Sequence, residues 1–230
     1  LHISENLSGV YVLDLFGETR MATRPKVPVP VYGERIAEGL RIWDPHRSKL
    51  AALLIKSWLA GGLGDLVKVL NLRPDSKVLY LGAATGTTVS HVSDLLPRGL
   101  VYAVEFSPRS MRDLFCLCQS RCNIIPLLED ASRPERYSQF LEPVDLVYQD
   151  VAQRNQAEIA SRNAARYLKP GGALVLMIKA RCVDVTAEPK DVWRAEIERL
   201  EGVEVISVSD LRPYYQDHWA VVARRQAQPP

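Results

Sequence analysis

A chain of 230 residues has room for one well-buried core with a small appendage. Its 47% hydrophobic and 24% charged content is ordinary for a globular protein, and neither a membrane-length apolar run of about 18 residues nor a basic-then-apolar signal segment interrupts it. Basic and acidic residues nearly cancel, 29 against 27 for a net charge of +2, which excludes a protein that grips nucleic acid through its overall field alone.

Residues 1 to about 56 differ in texture from the rest and read as a small β-rich N-terminal domain, with 57–230 as the second domain. In the first, Val10-Tyr11-Val12-Leu13-Asp14-Leu15-Phe16 predicts a strand. Lys26 to Gly33 predicts an extended segment that its prolines confine to an edge. Leu40 to Arg47 leads into a helix that starts near Ser48 and carries Lys49, Leu50, Leu53, Leu54 and Trp58; Gly61, Gly62 and Gly64 then form a break. From about residue 66 strands and helices alternate. Strands are predicted near 77–81, 100–105, 123–127, 144–149, 172–179, 203–209 and 218–224, with helices through Arg109–Arg121, Gln156–Leu168 and Pro189–Leu200 among them. Lys169-Pro170-Gly171-Gly172 stops the helix that ends at Leu168 before the next strand. The link from Leu211 to Asp217 is too short for a helical crossover, so the last two strands are expected to be antiparallel. Gln226–Pro230 reads as a fraying tail. Cys116, Cys118, Cys122 and Cys182 lack the partners of a zinc set, so they read as buried or half-buried free thiols and no metal is expected.

The most informative stretch runs from Val78-Leu79-Tyr80-Leu81-Gly82 through Ala83-Ala84-Thr85-Gly86 into Thr87-Thr88-Val89-Ser90-His91. An apolar strand stops at a glycine, a small-residue turn follows, and a helix opens through hydroxyl residues, which brings backbone N–H groups close to a ligand. The stretch is not Gly-x-Gly-x-x-Gly, so a dinucleotide pyrophosphate is not implied. Glu105 ends the next strand, where it is placed to accept from ribose hydroxyls. The two together suggest a nucleoside cofactor without a pyrophosphate, which S-adenosylmethionine satisfies. A mostly parallel sheet with an antiparallel terminal hairpin agrees: the expected fold is α/β, a Rossmann-like methyltransferase of seven strands.

Ligands of such sheets sit outside the carboxyl ends of the strands, where Gly82 to Thr88, Glu105, Asp130, Asp150 and Lys179 fall. An Asp after the third strand, here Asp130, is suited to an adenine amino group. Lys179 ends a very apolar strand, where burial favours the neutral amine and a nearby aspartate the ammonium. The bland alternatives are an Asp150–Lys179 structural ion pair, a helix-capping role for Glu105, a structural His218 and a solvated Lys49.

The chain resembles the fibrillarin family, the 2′-O-methyltransferases of box C/D guide-RNA particles, from about Val31 to Val222. The strings that carry the resemblance are Val31-Tyr32-Gly33-Glu34, Arg41-Ile42-Trp43-Asp44-Pro45 with Arg47-Ser48-Lys49-Leu50-Ala51-Ala52, and Leu79 to Ala84 through His91-Val92-Ser93-Asp94. They continue with Val101 to Ser107, Asp150-Val151-Ala152-Gln153, Ile178-Lys179-Ala180 and Asp217-His218. The resemblance implies a catalytic set of Lys49, Asp150, Lys179 and His218. It implies S-adenosylmethionine contacts at Gly82, Ala83, Thr87, Thr88, Glu105, Phe106, Asp130, Ala131, Asp150 and Gln153. Thr85 before Gly86, where the family usually has serine, Tyr148-Gln149 before Asp150 and Arg154-Asn155 after Gln153 depart from the family pattern without removing a functional group.

The implied activity moves the sulfonium methyl onto a ribose 2′-OH of rRNA or tRNA, with Lys179 acting on the hydroxyl and Asp150 orienting it. Lys49 and His218 would hold the ribose and phosphate or share the proton transfer. The implied partners are a box C/D guide RNA, the target RNA, a Nop5-type scaffold and a kink-turn-binding protein; no membrane is involved. A near-neutral chain that needs such help is consistent with this set. The absence of a Gly/Arg-rich N-terminal extension reads as an archaeal-type, cytoplasmic protein. Two competing readings are a methyltransferase with a protein acceptor and a non-enzymatic structural subunit; a pure scaffold has no need of the lysine at 179, and two lysines suit a phosphate-flanked hydroxyl.

Overall fold

The computed structural model describes residues 3–5, 9–15, 17–25 and 28–226, arranged around two sheets. Phe16, Lys26, Val27 and residues 227–230, which the sequence places in a strand, an extended segment and a tail, lie outside the described residues. The first sheet contains β1 (Ile3–Glu5), β2 (Val10–Leu15), β3 (Glu18–Thr23), β4 (Ile36–Ala37) and β5 (Leu40–Trp43) in the order β1-β2-β3-β5-β4, every pair antiparallel. Of these, β2 is the strand the sequence predicts and the other four escape a reading of hydrophobic pattern, as β3 and β5 illustrate. The first half of β3 is exposed or half-buried and carries Glu18, Thr19 and Arg20. β5 holds Arg41 in a fully buried position, where an apolar residue would be expected.

Helices α1 (Lys49–Leu59) and α2 (Leu63–Leu70) follow. The glycine break is shorter than the sequence suggests, because Gly62 caps α2 and Gly64 lies inside it. Then come β6 (Lys77–Leu81), α3 (Thr87–Leu95), β7 (Leu100–Glu105), α4 (Pro108–Cys118), β8 (Ile124–Leu128), a 3-10 stretch at Pro134–Phe140, and β9 (Val144–Gln149). The chain ends through α5 (Gln156–Tyr167), β10 (Leu168–Lys179), α6 (Ala180–Val183), α7 (Pro189–Glu198), β11 (Val203–Asp210) and β12 (His218–Arg225). β10 begins earlier than predicted: Lys169-Pro170-Gly171-Gly172 forms an irregularity inside the strand, between the pairs Leu168–Val144 and Ala173–Leu146, rather than a link before it. A proline without an N–H is tolerated where the ladder is interrupted.

The second sheet has the order β11-β12-β10-β9-β6-β7-β8. β6 to β10 run parallel, and β12 pairs antiparallel with both β10 and β11. The mostly parallel sheet with an antiparallel end is the expected fold. Both faces are covered, and the side chains alternate between them. Val78, Tyr80, Val101, Ala103, Tyr148 and Val175 pack under α1 to α4, while Leu79, Leu81, Tyr102, Val104, Val147 and Leu174 pack under α5 and α7. Val10, Val12, Met21 and Trp43 of the N-terminal sheet join the first of these clusters, so the two sheets share a core across α1.

Strand order reverses at β6, whose neighbours are β7 on one side and β9 on the other. That switch point opens a crevice at the carboxyl ends of β6 and β9. All four cysteines are free; Cys118 and Cys182 are half-buried, but Cys116 is exposed because α4 buries only Leu114 and Leu117, and Cys122, beyond the end of α4, is exposed as well.

Candidate active site

The turn after β6 begins the crevice. Gly82 has φ +81°, and a Cβ there would lie 2.7 Å from the carbonyl oxygen of Asp150, so only glycine lets the ends of β6 and β9 approach this closely. The N–H groups of Gly82 and Ala83 both donate to the Val104 carbonyl, at 2.9 and 3.0 Å, and Asp150 N–H donates to Leu81 O at 2.9 Å. Glu105 closes the turn from the β7 side. Its Oε2 accepts from Ala84 N–H and its Oε1 from Ser107 N–H, both at 2.8 Å. The carboxylate therefore spans the glycine turn and the start of α4.

Further out, Phe106 presents a large apolar ring that is 70% exposed. Asp130 follows β8, and its Oδ1 accepts from Ser132 N–H at 2.9 Å and from the Gln153 amide at 3.1 Å. Burial opposes the Asp130 carboxylate, but those two donors and Arg133 outweigh it and hold its pKa below the ordinary value. Gln153 Oε1 is buried with no hydrogen-bond partner among the described residues. Buried polar atoms are normally paired, so an orphaned acceptor beside Asp130 marks a place where a ligand donor belongs. Ala83 and Ala131 are buried and small. The donors, acceptors and small residues fit a nucleoside cofactor. Thr88 differs from the rest of the set: its hydroxyl donates to Ser48 Oγ at 3.0 Å and so ties α3 to α1.

Asp150 receives two lysines that are far apart in the chain. Lys49 Nζ donates to Oδ2 at 3.0 Å, and Lys179 Nζ lies 2.8 Å from Oδ1 in ion-pair contact while donating to the Asp150 carbonyl at 2.9 Å. The three side chains are only 13–16% exposed. Lys49 is delivered by the first turn of α1, whose Ser48 cap accepts from Ala51 N–H at 3.3 Å. Lys179 is the last residue of β10. Its backbone is held by Gln156, whose Oε1 accepts from Lys179 N–H at 2.9 Å and whose Nε2 donates to Gln153 O at 2.9 Å. Gln156 is fully buried at the start of α5 and no feature of the sequence singles it out.

His218 stands directly across the ladder from Lys179, as its antiparallel partner at the start of β12. Its Nδ1 lies 2.5 Å from the Gln216 carbonyl, which can only accept, so Nδ1 carries the hydrogen and Nε2 keeps its lone pair. Burial holds its pKa below the usual 6.5; Lys49 and Lys179 push the same way, while the Gln216 carbonyl and Asp150 oppose them. At neutral pH the ring is therefore a neutral proton acceptor. The structure thus brings Lys49, Asp150, Lys179 and His218 together at the switch point, with the glycine turn, Glu105, Asp130 and Gln153 alongside.

Sequence reading missed what fastens the N-terminal sheet to this site. Arg41 of β5 is fully buried and bonds Glu34 Oε1 at 2.5 Å and Asp94 Oδ2 at 2.7 Å; Arg121 reaches Asp94 Oδ1 at 2.5 Å. His91 is stacked on Trp43 with ring centroids 4.8 Å apart. Thr23 donates to Asp94 at 2.7 Å, so it accepts from His91 Nδ1–H at 2.8 Å, and Tyr32 O–H donates to His91 Nε2 at 2.7 Å. Asp94 and His91 lie on α3, the helix that opens from the glycine turn. The signal was available: Glu34, Arg41, His91 and Asp94 all fall in strings quoted above, but nothing in the sequence shows that they meet.

Comparison with known proteins bears on the family and the fold. The sequence model of the fibrillarin family matches residues 1–227. A fibrillarin-like rRNA/tRNA 2′-O-methyltransferase of Methanothrix thermoacetophila is 56% identical over 223 residues, covering 97% of this chain and 99% of the relative. Among solved structures, a fibrillarin of Aeropyrum pernix with natively bound S-adenosyl-L-methionine superposes with a TM-score of 0.82 at 44% identity, over 97% of this chain and 98% of that one. A fibrillarin/Nop5p complex gives 0.84 at 43% identity, over 96% and 100%.

Proposed function

The chain belongs to the fibrillarin family, and from that premise we propose that it is the catalytic subunit of a box C/D ribonucleoprotein that methylates ribose 2′-hydroxyls of rRNA, and of tRNA, in an archaeal-type cytoplasm. The observation that supports it most is the Asp150 carboxylate held between Lys49 and Lys179 beside the Gly82 turn. In this reading residues 1–56 form the N-terminal domain and residues 57–230 the methyltransferase domain.

S-adenosylmethionine, when bound, supplies an electrophilic methyl on a sulfonium. Glu105 would hold its ribose, Asp130 and Gln153 its adenine, with Phe106 and Ala131 against the base. Gly82, Ala83, Thr87 and Thr88 would line the methionine side, with the Asp150 carboxylate near the positive sulfur. The 2′-oxygen takes the methyl in line, forming the O–C bond as the S–C bond breaks with its electrons left on sulfur. The hydroxyl proton must leave as this happens. Lys179, fixed by Asp150 and Gln156, acts on the hydroxyl oxygen and stabilises the charge that develops there. Lys49 holds the ribose and the adjacent phosphate. His218 takes the proton on Nε2. A target without a 2′-OH gives these groups nothing to act on.

Selection of the nucleotide is assigned to base pairing with the guide RNA, with a Nop5-type scaffold holding the subunit over the target and a kink-turn-binding protein anchoring the guide. The test is methyl transfer from labelled S-adenosylmethionine in the reconstituted particle. The reading expects label in the guide-paired RNA only, lost on ribonuclease treatment or omission of the guide; label that survives both would point to a protein acceptor instead.

A further inference from the structure

Tyr215 lies in the turn between β11 and β12, and no motif accounts for it. The turn is pinned at both ends: Leu211 N–H donates to His218 O at 3.0 Å, Tyr215 N–H donates to Leu211 O at 3.1 Å, and Ala180 N–H donates to Asp217 O at 3.1 Å. Leu211 is fully buried and anchors the turn in the core. Two adjacent rings of this turn reach toward the start of α1. Tyr214 meets His46 edge-on at 5.1 Å, and the face of Tyr215 lies 4.9 Å from Lys49 Nζ. The Tyr215 and His218 rings lie 5.7 Å apart, tilted by 57°.

The Lys49 ammonium thus has a carboxylate oxygen at 3.0 Å and the face of an aromatic ring at 4.9 Å. A lysine carries a point charge on a flexible four-carbon stem, so a single ion pair leaves its direction poorly fixed. A second attraction from the ring's negative face removes that freedom. We propose that Tyr215 is a positioning residue whose ring face holds the Lys49 ammonium against Asp150, ready for the ribose and phosphate of the target. Burial, then the nearby carboxylates, keep the Tyr215 phenol protonated and neutral, so its effect comes from the ring rather than from a phenolate. The inference rests on Lys49 belonging to the active centre.

The test uses the assembled particle with Tyr215→Phe, Tyr215→Leu and Tyr215→Met, beside Lys49→Ala. Turnover, KM for target RNA, the Kd of S-adenosylmethionine and the melting temperature are measured for each. Leu and Met keep apolar bulk without a ring face, and each is expected to lower kcat about tenfold while the cofactor Kd stays within twofold. Phe keeps the ring and is expected to stay within twofold of wild type. Met serves as the reading if Leu unfolds the turn. Wild-type kcat in the folded Leu or Met variant, or a Phe variant as impaired as those two, overturns the proposal, since the ring face would then not be what matters. Full activity of Lys49→Ala overturns the active-centre reading itself, and with it this inference.

Discussion

Asp150 draws two ammonium groups from opposite ends of the chain, and the environment of His218 decides what the neighbouring ring can do between them. Its Nε2 is the acceptor and its pKa is depressed, so the base form is present at neutral pH. A base that must be unprotonated gives activity that falls on the acid side of its pKa. The expected pH profile of kcat therefore falls on the acid side with its midpoint below the ordinary histidine value of 6.5. A pH titration of turnover checks this; an acid-side midpoint above 6.5 contradicts the assignment. Gly82 gives a second prediction at this scale. Gly82→Ala places a Cβ 2.7 Å from the Asp150 carbonyl at a positive φ, so β6 and β9 must separate. Calorimetry should show loss of S-adenosylmethionine binding and a fall in stability of about 1–3 kcal/mol. Gly82, Asp150 and Lys179 were readable because each lies at the carboxyl end of a strand, where ligands bind at a switch point, whereas Lys49 opens a helix and His218 opens a strand, and only the family resemblance marked them. Gln156 and Tyr215 stayed unreadable because one acts through a backbone N–H and the other through a ring face, neither of which leaves a pattern in the chain.

The N-terminal sheet and α3 form a unit through Arg41, and the energetics of that unit are those of buried charge. Removing one member of a buried, hydrogen-bonded ion pair leaves the other charge stranded, at a cost of about 3–5 kcal/mol. Arg41→Ala strands Glu34 and leaves Asp94 with Arg121 as its remaining cation, the two acids being only 2% and 1% exposed, and is expected to lower stability by that amount in denaturant unfolding. Lys68→Ala, from the exposed pair with Asp65, should change it by less than about 0.5 kcal/mol. His91 adds a dependence on pH. Burial, then Arg41 and Arg121, hold its pKa well below 6.5, so the unfolded chain binds a proton that the folded chain refuses. Stability is then fully present above about 6.5 and declines as pH falls below that value, by at most about 1.4 kcal/mol per pH unit for one such group. His218 contributes in the same direction. Melting temperatures between pH 7.5 and 5 should therefore fall with acid, less steeply in a folded His91→Gln variant; equal slopes would contradict the account. Elements with a clear period were legible: α5 starts where the sequence predicts it and ends one residue earlier, and β6, β9 and β12 match within a residue. β3 and β5 were not, because tertiary partners rather than pattern satisfy Arg41, and the polar half of β3 is exposed or half-buried.

At the scale of the whole molecule the near balance of charge carries the argument. A protein of net charge +2 lacks the field to hold an RNA by counterion release alone, so the isolated chain should bind guide RNA no more tightly than about 10⁻⁶ M at physiological salt and without preference for box C/D sequences. Gel-shift titration with and without scaffold checks this, and tight, selective binding by the isolated chain would contradict it. The parallel sheet and its antiparallel end were legible from link lengths, whereas the core shared across α1 was not, since sequence does not show which faces meet. The most direct measurement of the central claim is turnover of the reconstituted particle on a guide-paired RNA, run with wild type and Lys179→Ala and repeated on a target with 2′-deoxyribose at the selected nucleotide. The account predicts methylation by wild type on the ribose target, none on the deoxy target, and a loss of at least about 100-fold with Lys179→Ala. Methylation of the deoxy target would contradict the 2′-hydroxyl as acceptor, and an unimpaired Lys179→Ala would contradict the active centre built around Asp150.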